Sequence, residues 1–182
     1  NYFKRIKMMR KRETCIILLF LPLLLLYSLS EVVVADNSTN SLEYLQSLVN
    51  NPSEAKIFRK KFKNLSKKEI AQFTEVDKVI KKEITSIASS LPMTIDKYTT
   101  WETAALSGKQ IAFKYTVSYD LVDTAEKKVF ISEINNMLKN SFCSSPSAAW
   151  LIMGYTWSYF YYGKDGSYYG GIIVDAKTCG FE

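Results

Sequence analysis

Residues 110–119 alternate without a break: Ile111, Phe113, Tyr115, Val117 and Tyr119 take the odd positions, and small or polar residues take the even ones. Period two marks a strand with one buried and one wet face. The chain must therefore build a sheet and cover one side of it. Residues 66–91 carry a different period. Ser66-Lys67-Lys68-Glu69 is a capping box, and behind it Ile70, Phe73, Val76, Ile80, Ile84, Ile87 and Leu91 recur at helical spacing. Pro92 ends this helix, because it disfavours helical geometry at Leu91. A chain that holds both periods belongs to the α+β class.

The remaining elements follow from turn chemistry. Ser107-Gly108-Lys109 joins the alternating strand to an earlier one, residues 99–105, centred on Trp101. Asp165-Gly166 between aromatic and apolar runs is the strongest short-range signal for a type I′ hairpin. With those two residues at its centre, Lys164 faces Ser167. Trp157 then lies opposite Val174 and Tyr159 opposite Ile172 on an apolar core face, and Tyr161 points the same way. Phe160 meets Gly171 and Tyr162 meets Tyr169 on the other, partly exposed face, where the glycine leaves room for the phenyl ring.

Helices fill the intervals. Asn40 with Glu43 caps a first helix carrying Leu42, Leu45, Leu48 and Val49, after a short polar leader at 37–41. Asn51-Pro52 stops it, and Ser53 opens a second helix with Ile57, Phe58 and Phe62. Asp123 caps a helix bearing Phe130, Ile134, Met137, Leu138 and Phe142. Ser145-Pro146 restarts a short one with Ala149, Trp150 and Ile152, closed by Gly154. The expected architecture is a mostly antiparallel sheet of two β-hairpins packed by helices, with a helical region at 36–91 joined to an α+β core at 92–182 as one domain.

The front end bears on destination. Lys4, Arg5, Lys7, Arg10, Lys11 and Arg12 precede an apolar block at 15–29, after which the chain turns polar at Ala35-Asp36-Asn37. This is the layout of a secretory signal peptide at 1–35, with translation starting at Met8 or Met9 and cleavage before Asp36. The block is shorter than the roughly 20 residues a spanning helix needs, and Pro22 interrupts it. A retained anchor is the alternative, and membrane contact is then confined to that segment.

Of the 24 Lys+Arg and 18 Asp+Glu, six and two fall in the first 35 residues, leaving 18 against 16. The basic balance belongs largely to the targeting segment. Only Arg59 is an arginine beyond it, so nucleic acid is not an expected partner. Two of the three cysteines remain there, Cys143 and Cys179. An even count in an exported chain argues for one disulfide, worth about 3–4 kcal/mol on the chain-entropy model. A reactive thiol or a metal pair is the rival, but the chain has no histidine and two thiolates alone make a poor zinc site.

The lack of histidine also removes Ser-His-Asp and Cys-His nucleophiles, and no phosphate-binding glycine motif occurs. No catalytic residue, metal or cofactor is assigned. Asp96, Glu102, Asp120, Asp123 and Asp175 are the carboxylates from which a general acid and base could be drawn. Asp96 is read instead as capping backbone amides where the long helix gives way to the sheet. The tyrosines of the last hairpin weigh more, since tyrosine is favoured both in strands and at recognition surfaces. Phe160, Tyr162 and Tyr169 form the candidate binding patch.

The run Leu91-Pro92-Met93-Thr94-Ile95-Asp96, then Thr99 and Thr100, Phe113-Lys114-Tyr115, Cys143, Tyr159 to Tyr161 before Asp165-Gly166, and a closing Cys179 is similar to a known group. It resembles a widespread family of small exported bacterial proteins, most of them without an assigned function. The likeness covers residues 91–179. It implies a periplasmic or secreted location and a disulfide-bonded core, and supplies no catalytic residues. The functional expectation is a non-enzymatic accessory protein that binds another envelope or secreted protein through an exposed aromatic sheet face. The alternatives are an envelope-polymer hydrolase using paired carboxylates and a secreted inhibitor or immunity-type protein.

Overall fold

A computed structural model describes residues 36–71, 73–119, 121 and 123–182. The expected signal peptide at 1–35 and Asp120 lie outside these residues. The fold is α+β: among the described residues, six helices and a 3-10 turn pack on five strands in the order β1-β2-β3-β4-β5. The strands are β1 (Met93–Asp96), β2 (Thr99–Ser107), β3 (Gln110–Val117), β4 (Thr156–Gly163) and β5 (Tyr168–Val174). All neighbours are antiparallel except β3 and β4, which run parallel. Two hairpins were expected, and the sheet holds both. The added strand β1 turns the first into a three-stranded meander.

The helices are α1 (Asp36–Val49), α2 (Pro52–Phe62), α3 (Lys67–Ala71), α4 (Thr74–Ser89), α5 (Thr124–Phe142) and α6 (Ala149–Ile152). α1 begins four residues before the expected cap, so Asn40 lies inside it and the polar leader is helical. That stretch contains no glycine or proline to interrupt the helix. At Ser66 and Asp123 the caps form as read, whereas α2, expected to open at Ser53, starts at Pro52 with Asn51 as its cap. Asn51 accepts from Glu54 N–H with Pro52 next to it, and Asp123 accepts from Glu126 N–H at 2.7 Å. Ser66 and Glu69 exchange the capping-box bonds: Ser66 N–H donates to Glu69 Oε2 at 2.8 Å and Glu69 N–H to Ser66 Oγ at 3.3 Å.

The long helix expected over 66–91 is broken. α3 ends at Ala71 and α4 begins at Thr74, with Phe73 N–H bonded to Ile70 O. In one continuous helix Ile70 and Phe73 would share a face. The break lets Phe73 turn inward onto the rings of Phe58 and Phe62, at 5.8 and 5.2 Å, while Ile70 stays exposed. From Val76 onward the periodicity holds, and Val76, Ile80, Ile84 and Ile87 are buried.

α4 lies against β2 and α5 against β5. The buried positions of β3, namely Ile111, Phe113, Tyr115 and Val117, alternate as read. With Trp101, Trp157, Tyr159, Tyr161, Ile172 and Val174 they form the sheet's helix-facing side. One apolar cluster runs from Leu45 to Phe181. Ring pairs knit it: Trp101 on Phe113 at 5.3 Å, Phe142 on Trp157 at 5.0 Å and Phe130 on Tyr161 at 5.8 Å. Burial pushes the phenols of Tyr115, Tyr159 and Tyr161 far up, so this layer is neutral across the working pH range.

Cys143, at the C-terminus of α5, is bonded to Cys179, with Cα atoms 5.2 Å apart. Beyond β5 the chain turns through Asp175 and Thr178, which exchange hydrogen bonds, and Phe181 is buried.

Candidate functional site

The hairpin turn decides which side chains reach the open face. Gly163 N–H donates to Ser167 O and Gly166 N–H to Gly163 O, and Gly166 has φ +79°. The loop is thus three residues long, Lys164-Asp165-Gly166, a turn finished by a left-handed glycine. The expected two-residue turn is one short. Next to the loop, Tyr162 consequently pairs with Tyr168. The register then shifts by one, and Tyr161·Gly170, Phe160·Gly171, Tyr159·Ile172, Ser158·Ile173 and Trp157·Val174 pair as the sequence reading had them.

The extra residue is Tyr169, and it corrects the expected patch. Tyr169 is buried, its hydroxyl donates to Tyr119 O at 2.6 Å, and its ring lies edge-on to Phe130 at 6.3 Å. Tyr168 takes the open-face place assigned to it, 53% exposed and 5.3 Å from the Tyr162 ring. One unpaired residue in a strand reverses facing up to the next regular pair. Asp-Gly signals a hairpin but does not fix its loop length.

Register then maps the open face. One row reads Ala105, Ala112, Ser158, Ile173, and the next Thr103, Lys114, Phe160, Gly171. The third reads Thr100, Thr116, Tyr162, Tyr168. Each row has small or polar groups on β2 and at least one bulky apolar group on β4 or β5. The large apolar groups Phe160, Tyr162, Tyr168 and Ile173 therefore gather at one margin of the sheet. Ile173, which the sequence reading did not single out, is 58% exposed, and Ser158 opposite it is buried. A Cβ on Gly171 would stand 3.2 Å from the Phe160 ring and 2.7 Å from the Tyr168 hydroxyl, so the glycine seats both rings. Lys114 Nζ lies 5.1 Å over the Tyr162 ring, a cation–π contact at an exposed site.

Asp96, Asp123 and Asp175, three of the candidate carboxylates among the described residues, are each taken up by a separate stretch of backbone. Asp96 accepts from Tyr98 N–H at 2.7 Å in the turn between β1 and β2, one strand later than the helix–sheet junction expected for it. Asp123 caps α5, and Asp175 holds the turn after β5. These three lie in separate turns and serve backbone amides. Among the described residues no group of three His, Cys, Asp or Glu side chains could hold a metal ion. A different polar cluster went unread because nothing in its local sequence marks it. Arg59 Nη1 donates to Leu151 O and Lys109 Nζ to Met153 O, both at 2.7 Å. Two cations thus close the C-terminal end of α6, where free carbonyls favour them. Burial, the larger influence, lowers the Lys109 ammonium from its ordinary value. Tyr155 hydroxyl donates to Asp77 at 2.9 Å nearby. This cluster orders backbone and is not a site.

No family model and no curated protein matches the chain. Among solved structures it is similar to a protein of Pseudomonas aeruginosa described as secreted, at 18% identity and TM-score 0.49, over 58% of this chain and 94% of that one. It is also similar to EpsS, the type II secretion system pilotin of Vibrio vulnificus, at 11% identity and TM-score 0.40, over 54% and 86%. The Vibrio cholerae pilotin AspS aligns at 13% identity and TM-score 0.38, over 54% and 86%.

Proposed function

We propose that this chain is an exported, non-enzymatic accessory protein that binds another envelope or secreted protein through the open face of its sheet. The observation that carries the reading is the clustering of Phe160, Tyr162, Tyr168 and Ile173 on the sheet face opposite the helices. Contiguous exposed apolar surface marks interaction sites. Aromatic residues beside a lysine give broad contact area with a polar rim, the composition of recognition surfaces. The disulfide supports an oxidising destination. The signal-peptide layout at 1–35 and the likeness to small exported bacterial proteins agree with it.

Capture tests the reading. Tagged protein recovered from its native envelope is compared with the variant Tyr162→Ala/Tyr168→Ala, and with Lys82→Ala on the exposed side of α4 as control. Bound chains are identified by mass spectrometry, with type II secretion components among those scored. A partner retained by the parent and by Lys82→Ala but lost from the double variant is the expected result. Equal retention by all three rejects the face as the binding surface.

A further inference from the structure

Charge on the folded chain is unevenly placed. Of the 18 basic and 16 acidic residues from Asp36 onward, seven and two fall in 52–71, leaving 11 against 14 elsewhere. That stretch is α2, α3 and the link between them. Two of its cations are taken up within the molecule: Arg59 bonds to Leu151 O and Glu182, and Lys63 to Glu182. Lys56, Lys60, Lys61, Lys67 and Lys68 are exposed, and among the described residues none has a carboxylate within ion-pair distance. Of the two acids, Glu69 is held by Ser66 in the capping box, and Glu54 stands in the first turn of α2.

Apolar groups project among these lysines. α2 turns Ala55, Arg59 and Phe62 toward the protein, so Ile57, Lys60 and Lys61, at i, i+3 and i+4, share its outer face. Ile57 is 57% exposed there. On α3, Ile70 is exposed one turn from Lys67. Tyr44 of α1, also exposed, meets the half-buried Phe58 ring of α2 at 5.5 Å, and Phe58 meets Phe62 at 5.7 Å. Three of the five large apolar side chains exposed among the described residues thus lie on α1–α3 and not on the sheet.

We propose that α1–α3 form a docking surface for an anionic lipid bilayer, with Ile57 entering between headgroups and Lys60 and Lys61 over their phosphates. Composition favours lipid over a protein partner here. Protein interfaces enrich arginine and deplete lysine. On this surface every free cation is a lysine, and the one arginine of the stretch is turned to a carbonyl of α6. Lysine stems lie along apolar surface while their ammonium groups stay in the polar layer, which suits a boundary of headgroups. Attraction to anionic lipid and shallow apolar insertion add together in holding a protein at such a boundary. The attraction fades within a Debye length, so the lysines must come close, and Ile57 beside them lets the helix seat at that distance. None of α1–α3 lines the open face of the sheet, so this surface and the one proposed for a protein partner are separate.

Cosedimentation with vesicles tests the proposal, using the full chain recovered after export. One vesicle set is phosphatidylcholine alone, the other equimolar phosphatidylcholine and phosphatidylglycerol. Binding is expected to the second set only. Raising salt from about 0.1 M to about 1 M shortens the Debye length from about 10 to about 3 Å and should release the protein. Each lysine near an anionic surface strengthens binding about fivefold, so Lys60→Ala/Lys61→Ala should weaken it about 25-fold with unchanged circular dichroism. Lys128→Ala/Lys139→Ala on α5 removes the same charge and should bind like the parent. An environment-sensitive dye on Ile57→Cys should shift to the blue on the anionic vesicles, and one on Asn136→Cys should not. No binding to anionic vesicles, equal binding by the Lys60/Lys61 variant, or equal loss in both lysine variants overturns the proposal. Binding to both vesicle sets alike, retained in salt, would trace to an uncleaved segment at 1–35 and overturns it too. Capture of polyglutamate without binding to vesicles would overturn it in favour of an acidic polypeptide.

Discussion

Replacing Cys143 and Cys179 together by alanine isolates the contribution of the one covalent staple. The two residues stand 36 apart in sequence and fasten the segment after β5 to the C-terminus of α5. Closing a loop of that length removes about 13 cal/mol/K from the unfolded chain, or about 4 kcal/mol at 25 °C. Little packing is lost, because alanine keeps the Cβ and both cysteines are only partly buried. A domain of this size is stable by roughly 5–15 kcal/mol, so the staple is a large fraction of the whole. For about 150 residues the unfolding entropy near the transition is roughly 0.3 kcal/mol/K, which converts the loss into a fall in Tm of about 13 °C. Urea unfolding of the oxidised parent and the double variant measures it. A slope somewhat steeper, because the unfolded chain is no longer tied, and an unfolding free energy in water lower by ~4 kcal/mol are expected. A loss under about 1 kcal/mol would show that the tail is held by Phe181 and the Asp175–Thr178 turn alone, and would refute the argument.

Three further outcomes are expected. Gly170→Ala places a Cβ 2.6 Å from Ile131 Cγ1, so it should cost about 1–3 kcal/mol. Adding Ile131→Ala should make the combined loss smaller than the sum of the two, measured by a double-mutant cycle; strict additivity would contradict the close approach of α5 to β5. Burial pushes the Glu83 carboxyl up to about 7. The folded chain then holds a proton that the unfolded chain releases near 4.5, so this group lowers stability as pH rises from about 4.5 to 7. Glu83→Gln should flatten that part of the stability–pH profile and gain most above pH 7; a parallel profile would count against it. Asp123→Ala removes the acceptor for Glu126 N–H and should cost about 1 kcal/mol in urea unfolding, while Asp123→Asn should cost less.

What the sequence disclosed, it disclosed where one local rule acted alone. The alternation at 110–119, the caps at Ser66 and Asp123, and the core hairpin pairs each rest on spacing or one side chain, and the structure has them. The failures lie where tertiary contact overrides a local pattern. The helix over 66–91 breaks because Phe73 has two rings to meet and Ile70 has none. β1 is four residues beside a proline, too short for any period to register. Tyr169 was placed outward because Asp-Gly leaves open a loop of two or three residues, and one residue reverses a side chain. The same slip puts Tyr168, and not Tyr169, beside Tyr162 on the open face. Arg59 and Lys109 stand 50 residues apart and meet only through α6, which no local signal marks.

Site-specific photocross-linking tests the binding face most directly. A photoreactive residue at Tyr162 or Tyr168, in protein produced in its native envelope, should trap a discrete species holding a second, different polypeptide. The same residue at Thr85, exposed on the far side of α4, should trap none. Adducts of equal yield from both sides of the molecule, or none from Tyr162 and Tyr168, would contradict the account.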